Sequence, residues 1–115
     1  MESKDKWEKL LEALSARFAP GEKLDISGIL FLIGVQECGK INTKFKKDEK
    51  LELMHVAICR VLEPYGHYTF EGYDADGWPH YQLVEDLPSL KPGEQSYLMK
   101  NAILQYFEES GFINP

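Results

Sequence analysis

The side chains able to do chemistry gather in one stretch, Tyr65 to Val84, which reads YGHYTFEGYDADGWPHYQLV. It holds His67, His80, Glu71, Asp74, Asp76, Trp78 and four of the six tyrosines. Period-two alternation on both sides of Asp74-Ala75-Asp76-Gly77 predicts a β-hairpin, its four-residue loop ending in a glycine that can take positive φ. That register pairs Tyr73 with Trp78, Glu71 with His80, Phe70 with Tyr81, Thr69 with Gln82 and Tyr68 with Leu83. Tyr68, Phe70, Tyr81 and Leu83 then share a face that can lie on helices. Thr69, Glu71, His80 and Gln82 share the other, with Tyr73 and Trp78 at its tip. A three-residue loop with a glycine bulge is the rival, which shifts the pairing by one and sets Phe70 opposite Gln82. Because a one-residue slip inverts a strand's faces, the hydrophobic pattern favours the first register.

Several chemistries are open to these residue types. Glu71 opposite His80 makes an acid–base couple in principle, since a neighbouring carboxylate favours the imidazolium. The commoner use of such a pair is to stabilise a sheet face. Asp74-x-Asp76-Gly77 resembles part of a calcium loop. Setting Gly77 at the sixth position, however, places Gly72 first and Leu83 twelfth, where carboxylates are needed. Turn-forming aspartates account for it better. His55 and Cys59, four apart, project from one side of a helix and form half a zinc site. No second ligand-spaced pair completes it, so neither a metal nor any other cofactor is assigned. Cys38 follows a helix end, whose negative pole disfavours a thiolate nucleophile. No catalytic residue is assigned. Tyr73 and Trp78 supply the rigid, amphipathic area typical of binding hot spots. With Glu71 and His80 they form the expected binding surface.

The elements that must position this hairpin are helical. Trp7, Leu10, Leu11, Leu14 and Phe18 recur at helical spacing over Ser3 to Phe18, with Ser3 as a cap and Ala19-Pro20-Gly21 as the stop. Asp25 caps a second helix over Ile26 to Glu37, ended by Gly39; apolar residues on all its sides mark it as central. A buried strand over Ile29 to Ile33 is the competing reading. Gly28 and Gly34 weaken a strand, and within a helix they point to close approach of another backbone. Asp48 caps a third helix over Glu49 to Leu62, with Leu51, Met54, Ile58, Val61 and Leu62 as its inward stripe. A fourth helix runs from about Glu94 to Glu109, and Gly111 closes it. The fold class is mainly α (α+β): four helices with one β-hairpin inserted between the third and fourth.

At 115 residues with 43% hydrophobic and 28% charged side chains, the chain reads as one globular domain over residues 1–115. A net charge of −6 argues against nucleic acid as partner. The lysine-rich segment GKINTKFKKDEK lacks the Gly-rich phosphate pattern and reads as a solvated loop, with Phe45 folding back on the core. Two cysteines suit free thiols in a reducing compartment. MESKDKWEKL has no apolar core of a signal peptide, and no run approaches a membrane span, so a cytoplasmic protein is expected.

Three blocks, ILFLIGVQECGK (Ile29 to Lys40), KKDEKLELMHVAICRVLEPYG (Lys46 to Gly66) and YDADGWPHY (Tyr73 to Tyr81), together resemble a group of small, uncharacterised bacterial proteins. The resemblance spans most of the chain. It implies a bacterial cytosolic origin and carries no activity with it. The reading that follows is a non-enzymatic protein-interaction module, a homodimer or a subunit of an assembly, binding through the hairpin. The second reading is a small-molecule- or metal-binding enzyme, its pocket between hairpin and helices lined by His55, His67, Glu71, His80 and Asp76.

Overall fold

A computed structural model describes residues 2–21, 24–39, 45–86 and 90–111. The elements run α1 (Glu2–Phe18), α2 (Ile26–Cys38), α3 (Lys47–Leu62), β1 (Tyr68–Tyr73), β2 (Pro79–Leu83) and α4 (Pro92–Glu109), with a 3-10 turn at Glu63–Tyr65. The protein is mainly helical, with one antiparallel hairpin between α3 and α4. The stretch Ile29 to Ile33 is helix, as the flanking glycines predict. Among the described residues no helix is long and apolar enough to cross a membrane.

Helix ends follow local chemistry, with small shifts from expectation. α1 begins at Glu2, so Ser3 lies inside the helix instead of capping it. α3 begins before the expected Asp48 cap, because Glu49 Oε1 accepts the N–H of Lys46 at 2.9 Å and closes the first turn. Asp48 is left in that turn, where the macrodipole favours an acid. α4 repeats the device: Glu94 Oε1 accepts the N–H of Lys91 at 3.1 Å, and Pro92 takes the first helical position. Gly39, at φ +64°, turns the chain out of α2.

The packing divides the chain into two units, Met1–Ile26 with Ser89–Pro115, and Ser27–Pro88. In the first, α1 lies against α4. Trp7, Leu10, Leu11 and Leu14 are buried from α1, and Ala102, Ile103, Leu104, Tyr106 and Phe107 from α4. Lys6 pairs with Glu108 at 3.7 Å, and Lys100 Nζ stands 5.6 Å from the Trp7 ring centre. Phe18, expected on the same inward stripe, is exposed, with the Arg17 guanidinium over its ring.

The second unit carries α2, α3 and the hairpin. A Cβ on Gly34 would collide with the Leu53 carbonyl, so α2 meets α3 backbone to backbone, as the glycine predicts. Arg60 Nε pairs with Glu37 Oε1 at 3.3 Å beside that crossing. The buried face of α3 is Leu53, Val56, Ala57, Cys59, Val61 and Leu62. Leu51, expected inside, is exposed, and Met54 and Ile58 are half-buried. The stripe is rotated because α3 serves α2 through Leu53 and both strands of the hairpin. Phe45 meets Phe31 edge-on at 5.6 Å, while Lys40 and Lys44 of the basic segment lie outside the described residues.

Candidate functional site

The hairpin adopts both of the competing registers, one at each end. At its base Tyr68 faces Leu83, Thr69 faces Gln82 and Phe70 faces Tyr81, as the hydrophobic pattern demands. At its tip Gly72 faces His80 and Tyr73 faces Pro79, a shift of one residue. The turn explains the shift. Gly77 N–H donates to Asp74 C=O at 3.0 Å, and Asp74 N–H donates to Trp78 C=O at 2.9 Å, which leaves Ala75-Asp76-Gly77 as a three-residue loop. Gly77 takes the positive φ, +86°, that this loop needs at its last position. A bulge at Glu71 absorbs the extra residue, and Gly72 accepts φ +126° beside it. The expected Tyr73–Trp78 and Glu71–His80 pairs are therefore not formed.

His80 finds a different carboxylate. Its Nε2 lies 2.8 Å from Asp74 Oδ2, and since a carboxylate only accepts, Nε2 carries the proton. Asp74 Oδ1 accepts two further N–H groups, from Asp76 and Trp78, each at 2.9 Å. Donation from His80 first, then from the Trp78 amide, holds the Asp74 carboxyl below its ordinary range. Asp74 is thus the hub of the turn. Asp76 gives the turn its backbone N–H, and the side-chain role of a turn aspartate is filled by Asp74. At the other end, Val84 N–H donates to His67 C=O at 2.8 Å, and His67 Nδ1 donates to Glu85 C=O at 3.2 Å. His67 closes the base of the hairpin.

Between one face of α3 and the hairpin turn with the first residues of β2 lies a groove of 560 Å³. Asp48, Glu52, His55 and Cys59 reach it from one face of the helix, being one turn apart in succession. Glu49 and Val56 flank them, and Asp74, Trp78, Pro79, His80 and Tyr81 form the opposite wall. Of the five residues expected to line a pocket, His55 and His80 do so; His67, Glu71 and Asp76 do not. Cys59 Sγ is 3.6 Å from His55 Nε2. Burial pushes the Cys59 thiol up to about 11, which disfavours the thiolate form. Burial, followed by the charges of Glu37 and Glu63, also raises the Tyr81 phenol, which remains a hydrogen-bond donor. Among the described residues no three His, Cys, Asp or Glu side chains stand close enough to hold a metal ion.

Of the expected binding residues, Tyr73 is 66% exposed, Glu71 and His80 are exposed, and Trp78 is half-buried in the groove wall. The helix-facing side of the hairpin is only partly covered. Pro79 is buried and Tyr68 and Tyr81 are half-buried, but Phe70 and Leu83 stay 41% and 49% exposed. Phe70 contacts Tyr73 and Tyr81 edge-on at 5.2 and 5.5 Å, and Val84, next to Leu83 in the chain, is exposed as well. The sequence pattern places Phe70 and Leu83 under helices, and no periodicity tells how far a helix will reach across a strand. Compared with protein-family models, with curated proteins and with solved structures, the chain matches none.

Proposed function

We propose that the protein is a small, non-enzymatic interaction module that docks another protein through its hairpin. One observation carries this reading: Phe70, Tyr73 and Leu83 leave aromatic and aliphatic surface open on a two-stranded ribbon. Ribbons of two strands are marginal alone, and apolar area rimmed by polar groups is characteristic of docking surfaces. Glu71 and His80 supply that polar rim. With a net charge of −6, the partner is a protein, either a second copy or a different chain, and not a nucleic acid. Cys38 and Cys59, both outside any disulfide, support a cytoplasmic setting.

Light scattering over a concentration series, with wild type and a Tyr73→Ser/Leu83→Ser variant, tests the proposal. The expected result is assembly by wild type, or capture of a defined protein from cell extract, that the variant loses. A wild-type monomer at every concentration that captures the same proteins as its variant overturns it. A second reading, a small-molecule enzyme, is favoured by one observation, that His55 and His80 share a groove. Against it, burial disfavours the thiolate form of Cys59, the cysteine in that groove.

A further inference from the structure

We propose that the groove between α3 and the hairpin tip binds an organic cation, an alkylammonium or guanidinium group. Carboxylates strung along an exposed helix would be no more than a solvated face. Here they enclose a concavity of 560 Å³ whose far wall is Trp78, Pro79 and Tyr81. Aromatic faces attract a cation through the ring quadrupole, an alkyl stem lies along them, and carboxylates accept the N–H donors. Asp48, Glu49, Glu52 and Asp74 line the groove, and among the described residues no lysine or arginine does.

The acids divide into fixed and available ones. Glu49 is held by the Lys46 amide, and Asp74 by His80 and the amides of Asp76 and Trp78. These two set a standing negative potential at opposite walls. Asp48 and Glu52, one turn apart on α3, are exposed and make no hydrogen bond or ion pair among the described residues. They are the acceptors left over for an incoming N–H donor. His55, at the next turn, and His80 are the other titratable groups of the lining, with Cys59 and Tyr81 kept neutral by burial. The cation has two possible sources, a free amine or a lysine or arginine side chain presented by a protein.

Nuclear magnetic resonance titration of the full chain tests this with N-acetyl-lysine amide, N-acetyl-arginine amide and spermidine. N-acetyl-norleucine amide is the neutral isostere. The cations are expected to shift the Trp78 indole N–H and the amides of residues 48–56, and norleucine is not. Glu52→Lys is expected to weaken binding roughly fivefold, the size of one exposed ion pair, and Asp48→Lys similarly. Both positions are exposed, and an unchanged spectrum elsewhere verifies folding. Equal shifts with norleucine, or unaltered affinity in both charge reversals, overturns the proposal. A lysine- or arginine-bearing tripeptide binding more tightly than spermidine identifies a protein side chain as the source; the reverse order identifies a free amine. Tyr73→Ser/Leu83→Ser is expected to leave cation affinity unchanged, so the groove and the hairpin strip fail or stand separately.

Discussion

α3 makes two contacts of opposite character. Against α2 it is closed down to the main chain, since Gly34 has no room for a Cβ beside the Leu53 carbonyl, and Leu53, Ile29 and Ile33 are sealed around the crossing. Against the hairpin it covers Pro79 and part of Tyr81 and leaves Phe70, Tyr73 and Leu83 open, with a groove beside the tip. Both contacts draw on one helix, so the difference is not one of helix composition. Closed packing at α2 is what one native state requires, because interiors tolerate neither voids nor overlap. The uncovered side of the hairpin contributes little to that state. Its apolar area is available to a molecule that arrives.

The largest effect is expected at Gly34. Gly34→Ala drives a methyl group into the Leu53 carbonyl, and relief requires main chain to shift. The expected loss is about 3 kcal/mol, the upper part of the range for overpacking, read as a lower urea midpoint at unchanged slope. Stability equal to wild type would show that the crossing has slack and that the two contacts of α3 are alike. Gly93→Ala is the control. That glycine opens α4 with nothing within 4 Å of where an alanine methyl would stand, and alanine there is expected to stabilise by about 0.5 kcal/mol.

Next in size is the loop that sets the register of the tip. Gly77 at φ +86° has open space around it, so a side chain there meets backbone strain and no collision. Gly77→Ala is expected to cost about 1 kcal/mol. Amide exchange should quicken first in residues 69–82, while the α2–α3 crossing keeps its protection. Uniform quickening across the second unit would mean that hairpin and crossing open together.

Much of this architecture is legible in the chain, for stated reasons. Glycine and proline stops bracket α1 and α2, and Gly34 announces a backbone contact that the Leu53 carbonyl supplies. The hairpin is legible too, but its register is a contest between two signals. Asp74-Ala75-Asp76-Gly77 fits a four-residue loop or a three-residue one, and the alternation of Tyr68, Phe70, Tyr81 and Leu83 favours the four-residue register, whereas the turn closes as the three-residue loop. Each prevails where its own forces act, and the bulge at Glu71 reconciles them. Gly72 is the clue to it, since glycine within a strand marks such bulges. The groove is less legible. His55 and His80 read as pocket residues, but Asp48 and Glu52 look like ordinary acids near a helix start, and only the placement of the hairpin tip turns them into a rim. Asp74, legible as a turn former, is also the partner of His80.

A smaller effect separates the charge of Asp74 from its role as an acceptor. Its carboxyl titrates below its unfolded value, because the ionised form accepts from His80 and two amides. The sign follows: its contribution is complete above the unfolded value of ~3.9 and is lost as pH falls through the lower folded value. Amide protection in the hairpin, corrected for intrinsic exchange, should be flat from about pH 7 to about pH 5 and decline below about pH 4. Asp74→Asn keeps an oxygen for the turn amides and should flatten that acid limb. An unchanged limb would assign it to another carboxylate.

The smallest effect on stability is expected where the docking proposal places the largest effect on assembly. Tyr73 and Val84 are 66% and 61% exposed, so serine at either position removes area that is already wet. Each substitution should alter stability by no more than about 0.5 kcal/mol, as surface changes do. Phe70 is a poorer probe, since its ring contacts with Tyr73 and Tyr81 would be lost with it. A loss above about 2 kcal/mol in Tyr73→Ser would place that ring within the fold's own packing, and the open surface would then shrink to Phe70 and Leu83. Near-neutral stability combined with lost assembly separates the two contacts of α3 completely: the α2 side holds the chain together, and the hairpin side presents what the fold does not use.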